Sequence, residues 1–272
     1  MKKSYYLLII CLTSVISTPG QTTPENDRSA YQNYFKQKFP SIELKEFING
    51  IYILDSSLRE YWEAIEEFPP YETAIEEGEI AFNNHKILKQ CFPKATQGIV
   101  QNYPHFDRNT AQVITLPLAI NTCLAKHGKP ELDYQQNTII QMLAYLTYQS
   151  RGKRIATKIP SAAAKNAYDK GMEFYYARRG QLNLACAHCH VDNAGQRMRA
   201  ELLSPGLGQP SHFPVYRAKW GGMGSLHRQF ERCNKRVRAK PFDLQSEEYR
   251  NLEYFLTYMS NGLTWNGPSV RD

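Results

Sequence analysis

The chain has no apolar stretch beyond its N-terminus that could cross a bilayer and no long basic run interleaved with aromatic residues, and strand-like alternation is scarce. The first absence excludes a membrane span, the second argues against nucleic-acid binding, and the third against a β-rich fold. The charges sum to +7, from 33 basic and 26 acidic residues. Such a mildly basic balance suits an acidic partner surface or an anionic substrate.

A second C-x-x-C motif is also missing, which limits what the stretch Cys186-Ala187-His188-Cys189-His190 can be. A structural zinc site needs a second ligand pair, and a thioredoxin-like motif needs a strand–helix context that the flanking sequence lacks. C-x-x-C-H is the attachment signature of a c-type haem. Cys186 and Cys189 would add to the two vinyl groups, and His190 would be the proximal ligand. The motif therefore predicts one covalent haem c.

The N-terminus predicts export. Lys2 and Lys3 form a charged n-region, residues 5–15 form a short apolar stretch, and a tolerable cleavage site lies near Ser17. We therefore expect a signal peptide over residues 1–17 and a periplasmic protein. Attachment of haem to C-x-x-C-H motifs takes place in the same compartment, so the two signals agree.

The sequence repeats itself, because residues 98–152 align with residues 208–262 at a shift of 110 without a gap. The matched positions include Gly98 and Gly208, Tyr103-Pro104 and Phe213-Pro214, Leu116 and Leu226, Cys123 and Cys233, Asp133 and Asp243, and Gly152 and Gly262. A repeat of this kind indicates an internal duplication. A helix, the C-x-x-C-H motif, a long loop and a final helix follow one another as in a small cytochrome c domain. We expect an all-α protein of two tandem cytochrome c-like domains, the first without haem.

The expected boundaries follow from the repeat and from local composition. Residues 18–152 would form the haemless domain, and residues 166–272 would form the haem-c domain. The segment 153–165, with Pro160 and a run of three alanines at 162–164, is the predicted linker. An extension over roughly residues 24–85 is expected to pack on the first domain, and it carries no recognisable chemistry.

The first domain has a cysteine where a haem cysteine could stand, but Cys91 is followed by neither a second cysteine nor a histidine. With no haem to hold, Cys91 and Cys123 are natural disulfide partners in an oxidising compartment. Their bond would close a loop of about thirty residues, worth about 3 kcal/mol by loop entropy. With Cys11 in the signal peptide, this pairing leaves Cys233 unpaired.

The second axial ligand of the haem remains open between a methionine and a cysteine. An electron-transfer cytochrome uses methionine; Met223 lies in a glycine-rich loop and is the main rival, whereas Met198 suits packing and Met259 the core. Cys233 is the other candidate. Nearby cations should lower its pKa and favour the thiolate, the form that ligates iron and attacks sulfur. These cations are Arg228, Arg232, Lys235, Arg236 and Arg238.

Taken together, these motifs resemble the SoxA family, the catalytic cytochrome subunits of the bacterial thiosulfate-oxidising Sox system. The resemblance covers roughly residues 85–272. It is carried by 186–190, Gly206-Leu207-Gly208, 213–216, Trp220, 226–228, Cys233-Asn234, 237–239 and the tail 261–271, with 103–107, 120–123 and 145–152 in the first half.

The resemblance implies an L-cysteine S-thiosulfotransferase that works with a small cytochrome subunit, SoxX. Thiosulfate would be joined oxidatively to a cysteine of SoxY in the SoxYZ carrier, with electrons leaving to cytochrome c. It further implies that Cys233 is an axial haem ligand, the active-site sulfur and the carrier of a persulfide. The family's arginine four residues before this cysteine is replaced by Gln229. Arg228 is therefore the first candidate to hold the sulfonate, with Arg232 and Arg236 also open.

Two other functions are compatible with the residues alone. One is a plain periplasmic electron-transfer cytochrome c with His190 and Met223 as iron ligands and a structural Cys233. The other is a haem-binding structural subunit whose chemistry resides in its partner.

Overall fold

The computed structural model describes residues 23–271, so the predicted signal peptide, residues 1–17, lies outside the described part of the chain. Its α-helices are α1 (Pro24–Lys38), α2 (Ser56–Glu66), α3 (Glu72–Asn84), α4 (Lys86–Cys91), α5 (Leu116–Lys126), α6 (Asn137–Tyr148), α7 (Ala162–Tyr176), α8 (Leu226–Arg236) and α9 (Glu247–Met259). The strands are β1 (His105–Asp107), β2 (Gln112–Ile114), β3 (Arg197–Met198), β4 (Glu201–Leu202), β5 (Val215–Arg217), β6 (Gly222–Gly224) and β7 (Ser269–Val270). The predicted all-α class is confirmed, since every strand has three residues or fewer. Within residues 23–271, none of the helices combines the length and the apolar character needed to cross a bilayer.

The internal repeat is visible element by element. Helices α5 and α8 begin 110 residues apart, as do α6 and α9, and the hairpin β1–β2 has its counterpart in β5–β6 at the same shift. A buried serine repeats as well. Ser150 Oγ accepts from Ile99 N at 3.1 Å, and Ser260 Oγ accepts from Gly208 N at 3.1 Å. The predicted duplication is therefore confirmed.

Each half is built on one close helix crossing, α3 on α6 in the first and α7 on α9 in the second. Glycine makes both crossings possible. A Cβ at Gly78 would collide with the backbone of Gln141, and one at Gly171 would collide with the backbone of Asn251. Gln141 and Asn251 are themselves 110 residues apart, so the same contact point is used twice.

The N-terminal extension packs mainly on the second half, and the expectation that it packs on the first is wrong for residues 24–66. Gln32 Nε2 donates to the carbonyls of Met259 and Asn261 at 3.1 and 3.0 Å. The buried Tyr31 hydroxyl lies 3.1 Å from that of Tyr175 in α7. The reason is the apolar face of α1, which contacts α9, reaches Tyr175 of α7 through Tyr31, and packs on Phe47 of the extension through Phe35. Helix α3 does pack on the first half, as expected.

The linker and the C-terminal tail tie the two halves together. Ile155 N donates to Leu263 O and Gly152 N to Trp265 O, both at 2.8 Å. Strand β7 runs parallel to β5 and completes a three-stranded sheet in the order β6-β5-β7. Helix α7 begins inside the predicted linker, where the Ser161 side chain caps it by accepting from Ala164 N at 3.2 Å.

A disulfide joins the end of α4 to the middle of α5 in the first half. The Cys91 and Cys123 sulfurs are 1.97 Å apart, with Cα atoms separated by 6.3 Å. This is the pairing that the sequence predicts. Among the described residues, Cys186, Cys189 and Cys233 are free thiols.

Candidate functional site

The C-x-x-C-H segment is held in a tight local fold directly after α7. The backbones of Arg179 and Leu184 pair with each other at 3.1 and 3.2 Å. The chain then makes a helical turn at Cys186 that continues as a five-residue π-helix over His188–Asp192. Such short π-helical turns are frequent at functional sites, because the wider turn redirects side chains.

The motif opens onto a cavity of about 330 Å³ in the second half. Cys186, Cys189, His190 and Cys233 all line it. Much of its wall is apolar, including Leu203, Phe213, Leu226, Phe230, Leu252 and Leu256. The fold thus brings Cys233, on α8, into the same cavity as the C-x-x-C-H motif, which ends more than forty residues earlier in the sequence.

The three downstream methionines all belong to the described part of the chain, and they differ in position. Met198 lines the cavity and is 41% exposed. Met259 is buried in the core at 1% exposure, as the helical pattern predicts. Met223 packs against the core from β6 and is not among the lining residues.

His190 is held in one orientation by its surroundings. Its Nδ1 lies 2.9 Å from the carbonyl oxygen of Ser204, a contact that orients the ring and leaves Nε2 as the remaining ring nitrogen. Burial lowers the pKa of His190, which keeps the imidazole in its neutral, ligating form. The carbonyl of His190 accepts from Gly206 N at 2.8 Å. Gly206 must be glycine, because a Cβ would collide with the hydroxyls of Tyr31 and Tyr175.

The donor set and the walls fit a covalently attached haem. Burial raises the pKa of the Cys186 thiol to about 12 and also raises that of Cys189, as expected of thiols in apolar surroundings. Two such thiols match the groups that attach a c-type haem. A neutral imidazole and a further sulfur around the same apolar cavity match the groups that can ligate its iron.

One face of α8 presents four polar side chains to the cavity. Gln229, Arg232, Cys233 and Arg236 are spaced at i, i+3, i+4 and i+7, so they share a helix face, and all four line the cavity. Gln229 Nε2 donates to Cys233 Sγ at 3.3 Å. The residue that replaces the family's arginine therefore contacts the candidate sulfur directly.

Burial outweighs the cations at Cys233. Burial raises the pKa of the Cys233 thiol, while Arg236, Arg232 and Arg217 lower it by less. The expectation of a depressed thiol pKa is therefore wrong for the protein part of the site. That expectation counted only the charges near Cys233 in sequence. The net direction of the pKa shift is determined by burial of the thiol in the cavity.

Arg228, the first sequence candidate for the sulfonate, lies outside the cavity. Its guanidinium stands 4.6 Å from the Trp220 ring centroid and donates to Met223 O at 3.1 Å. Each residue of an α-helix turns the side chain by about 100°. Arg228 therefore lies about 140° around the helix from Cys233 and, although it is i, i+4 from Arg232, its guanidinium is held at Trp220 outside the cavity.

Sequence reasoning missed several charged residues of the cavity, among them Glu201 and Lys219. Glu201 lies in β4 and pairs with Arg236, with Arg232 at 3.1 Å and with Lys219 at 3.6 Å. No motif marks either residue, and only their charges near a cationic helix could have suggested the contact. Gly50, Ile51 and Leu58 of the N-terminal extension also line the cavity, although no chemistry was expected from that region.

Comparison with known proteins places the chain among sulfur-oxidising cytochromes. The sequence profile described as SoxA/TsdA, cytochrome c domain, matches residues 79–155 and 170–265. An L-cysteine S-thiosulfotransferase subunit SoxA from Allochromatium vinosum is 50% identical, covering 97% of this chain and 96% of that protein. A protein of the same description from Chlorobaculum tepidum is 43% identical, covering 97% and 95%. A crystal structure of SoxXA from P. pantotrophus matches with a TM-score of 0.69 and 30% identity over 75% of this chain and 79% of that one.

Proposed function

Since this chain belongs to the SoxA family, we propose that it couples thiosulfate oxidatively to a cysteine of a carrier protein, SoxY of the SoxYZ complex. Family membership makes it the SoxA subunit of the thiosulfate-oxidising thiosulfotransferase SoxXA. SoxX would be its partner in a heterodimer, the periplasm its location, and cytochrome c the final electron acceptor. The observation that carries the proposal is the α8 face, which sets Cys233 beside Arg232 and Arg236 in the cavity of the C-x-x-C-H motif.

One haem c would be held by this chain. Cys186 and Cys189 would form the two thioether bonds, and His190 and Cys233 would hold the iron. When bound, the haem supplies a redox centre whose potential a thiolate ligand keeps low. A low potential makes the haem of the SoxX subunit the better exit for electrons. The position of Met223 outside the cavity favours this ligand set over the electron-transfer alternative.

The sulfur chemistry then balances in two steps. The Cys233 thiolate and the sulfane sulfur of thiosulfate form a disulfide bond, and two electrons leave to cytochrome c through the partner subunit. The thiolate of the carrier cysteine attacks the same sulfane sulfur, takes the thiosulfonate group and releases the Cys233 thiolate. This second step is an ordinary thiol–disulfide exchange, which needs an accessible attacking thiolate and a good leaving sulfur.

The side chains of this protein would bind and orient the substrate. Arg232 and Arg236 offer guanidinium groups to the sulfonate, a pairing that favours planar, bidentate contacts. Gln229 donates to Cys233 Sγ and so holds the reacting sulfur in one direction. The apolar walls exclude water, which strengthens each of these polar contacts.

The experiment that tests the proposal follows the carrier directly. The complex with SoxX is incubated with thiosulfate, ferricytochrome c and SoxYZ, and the intact mass of SoxY is measured by mass spectrometry. We expect SoxY to gain one thiosulfonate group for every two molecules of cytochrome c reduced. The Cys233→Ala variant should leave SoxY unmodified. Unmodified SoxY with the natural protein, or full modification with the variant, would overturn the proposal.

A further inference from the structure

The short hairpin β3–β4 brings a carboxylate into the cationic part of the cavity. Arg197 pairs with Leu202 and Met198 with Glu201 across this hairpin. The Glu201 carboxylate contacts both terminal nitrogens of Arg236 through its two oxygens. Arg232 Nη2 approaches it to 3.1 Å and Lys219 Nζ to 3.6 Å. One carboxylate thus faces three cations that all line the cavity with Cys233.

The contacts of Glu201 are those that an oxyanion would make. A carboxylate held by two parallel guanidinium bonds presents the geometry that sulfonate and phosphate groups also satisfy. Hydrogen bonds from Arg236 lower the pKa of Glu201 to about 2, so the group is ionised over the whole working range of pH. Arg232 and Arg236 also act electrostatically on the Cys233 sulfur. An anion that takes the place of Glu201 therefore binds the same two guanidinium groups that act on the candidate reacting atom, in the same cavity.

Glu201 is also free enough to leave. Its side chain is 40% exposed, and ion pairs this open to solvent contribute little to stability. The carboxylate itself can move into water, and the charge that it would leave unpaired is mainly the guanidinium of Arg232, which is only 19% exposed. With Glu201 in place, its one negative charge partly neutralises the three cations. Without it, the three positive charges have no counter-charge from Glu201 and attract another anion.

We propose that Lys219, Arg232 and Arg236 form an oxyanion site in which Glu201 is an internal competitor, displaced by the sulfonate end of thiosulfate. The inference rests on the proposed function and adds the location of the substrate anion. Glu201 sets the affinity of this site, because every anion that binds must first exchange with the carboxylate. Weakly bound anions such as chloride would be excluded by the same exchange.

The test uses Glu201→Gln in the haem-loaded complex with SoxX, with Glu231→Gln as the matched control. Glu231 lies on α8, the helix of Arg232 and Arg236, and pairs with Lys235, but it does not line the cavity. Binding of sulfate, which has no sulfane sulfur to react, is measured by calorimetry at fixed ionic strength. The KM for thiosulfate is measured in parallel, and an unchanged haem absorption spectrum shows that each variant is folded.

We expect Glu201→Gln to tighten sulfate binding and to lower the KM for thiosulfate by at least about threefold, the scale of a half-exposed ion pair. Glu231→Gln should change neither. Equal or weaker sulfate binding by Glu201→Gln would overturn the inference, and Glu201→Ala provides a second variant with the same expectation. Sulfate binding does not depend on coupling to SoxY. The binding result therefore tests the anion site even if the proposed coupling reaction fails.

Discussion

The first half should depend on its disulfide for stability. Replacing both partners, Cys91→Ala and Cys123→Ala, removes a cross-link between residues 32 apart in sequence. By loop entropy, a cross-link of this span is worth about 3 to 4 kcal/mol. For a chain of this size, each kcal/mol shifts the melting temperature by about 2 to 4 °C. The double variant should therefore melt about 6 to 16 °C lower than the natural protein.

Circular dichroism at a helical wavelength measures this transition, and haem absorption follows the second half in the same scan. Neither Cys91 nor Cys123 lines the cavity of the second half, so the haem spectrum at room temperature should stay unchanged. The natural protein treated with a reductant should melt like the double variant. A double variant that melts within about 2 °C of the natural protein would refute the loop-entropy argument.

Three further predictions concern the cavity and the fold. A pyridine haemochrome assay should find one haem per chain, and the Cys186→Ala/Cys189→Ala variant should retain no covalent haem; two haems would contradict the assignment. Arg232→Ala should lower kcat/KM for thiosulfate about tenfold or more, the range of a charge-assisted hydrogen bond, whereas Arg228→Ala should stay within about twofold; the reverse order would return the anion site to Arg228. Gly171→Ala should lower the free energy of unfolding in urea by about 1 to 3 kcal/mol through overpacking against α9; an unchanged midpoint would contradict the close crossing.

The parts of this protein that follow local or periodic rules could be predicted from the sequence. The haem motif depends on a five-residue spacing. The duplication is visible because the shift of 110 holds for helices and strands, and also for the hydrogen bonds that Ser150 Oγ donates to Leu146 O and Ser260 Oγ to Leu256 O. The disulfide followed from the same alignment. Cys123 is the position that matches Cys233, and Cys91 is the other cysteine of residues 18–152.

Features that depend on distant segments could not be predicted. The hairpin with Glu201 contacts α8 although the two are more than twenty residues apart in sequence. The extension reaches the cavity through Gly50, Ile51 and Leu58, far from the haem motif in sequence. The pKa of Cys233 is raised because burial, a property of the whole cavity, exceeds the effect of neighbouring charges. The direction of Arg228 required the boundaries of α8, which place it on a different face from Cys233.

The central claim is that Cys233 is at once the second iron ligand and the reacting sulfur. Its most direct test is a spectroelectrochemical titration of the haem in Cys233→Met, with SoxY coupling measured on the same preparation. The account predicts a higher midpoint potential, because a thioether donates less charge to iron than a thiolate does, together with complete loss of coupling. A potential and a coupling rate equal to those of the natural protein would contradict it.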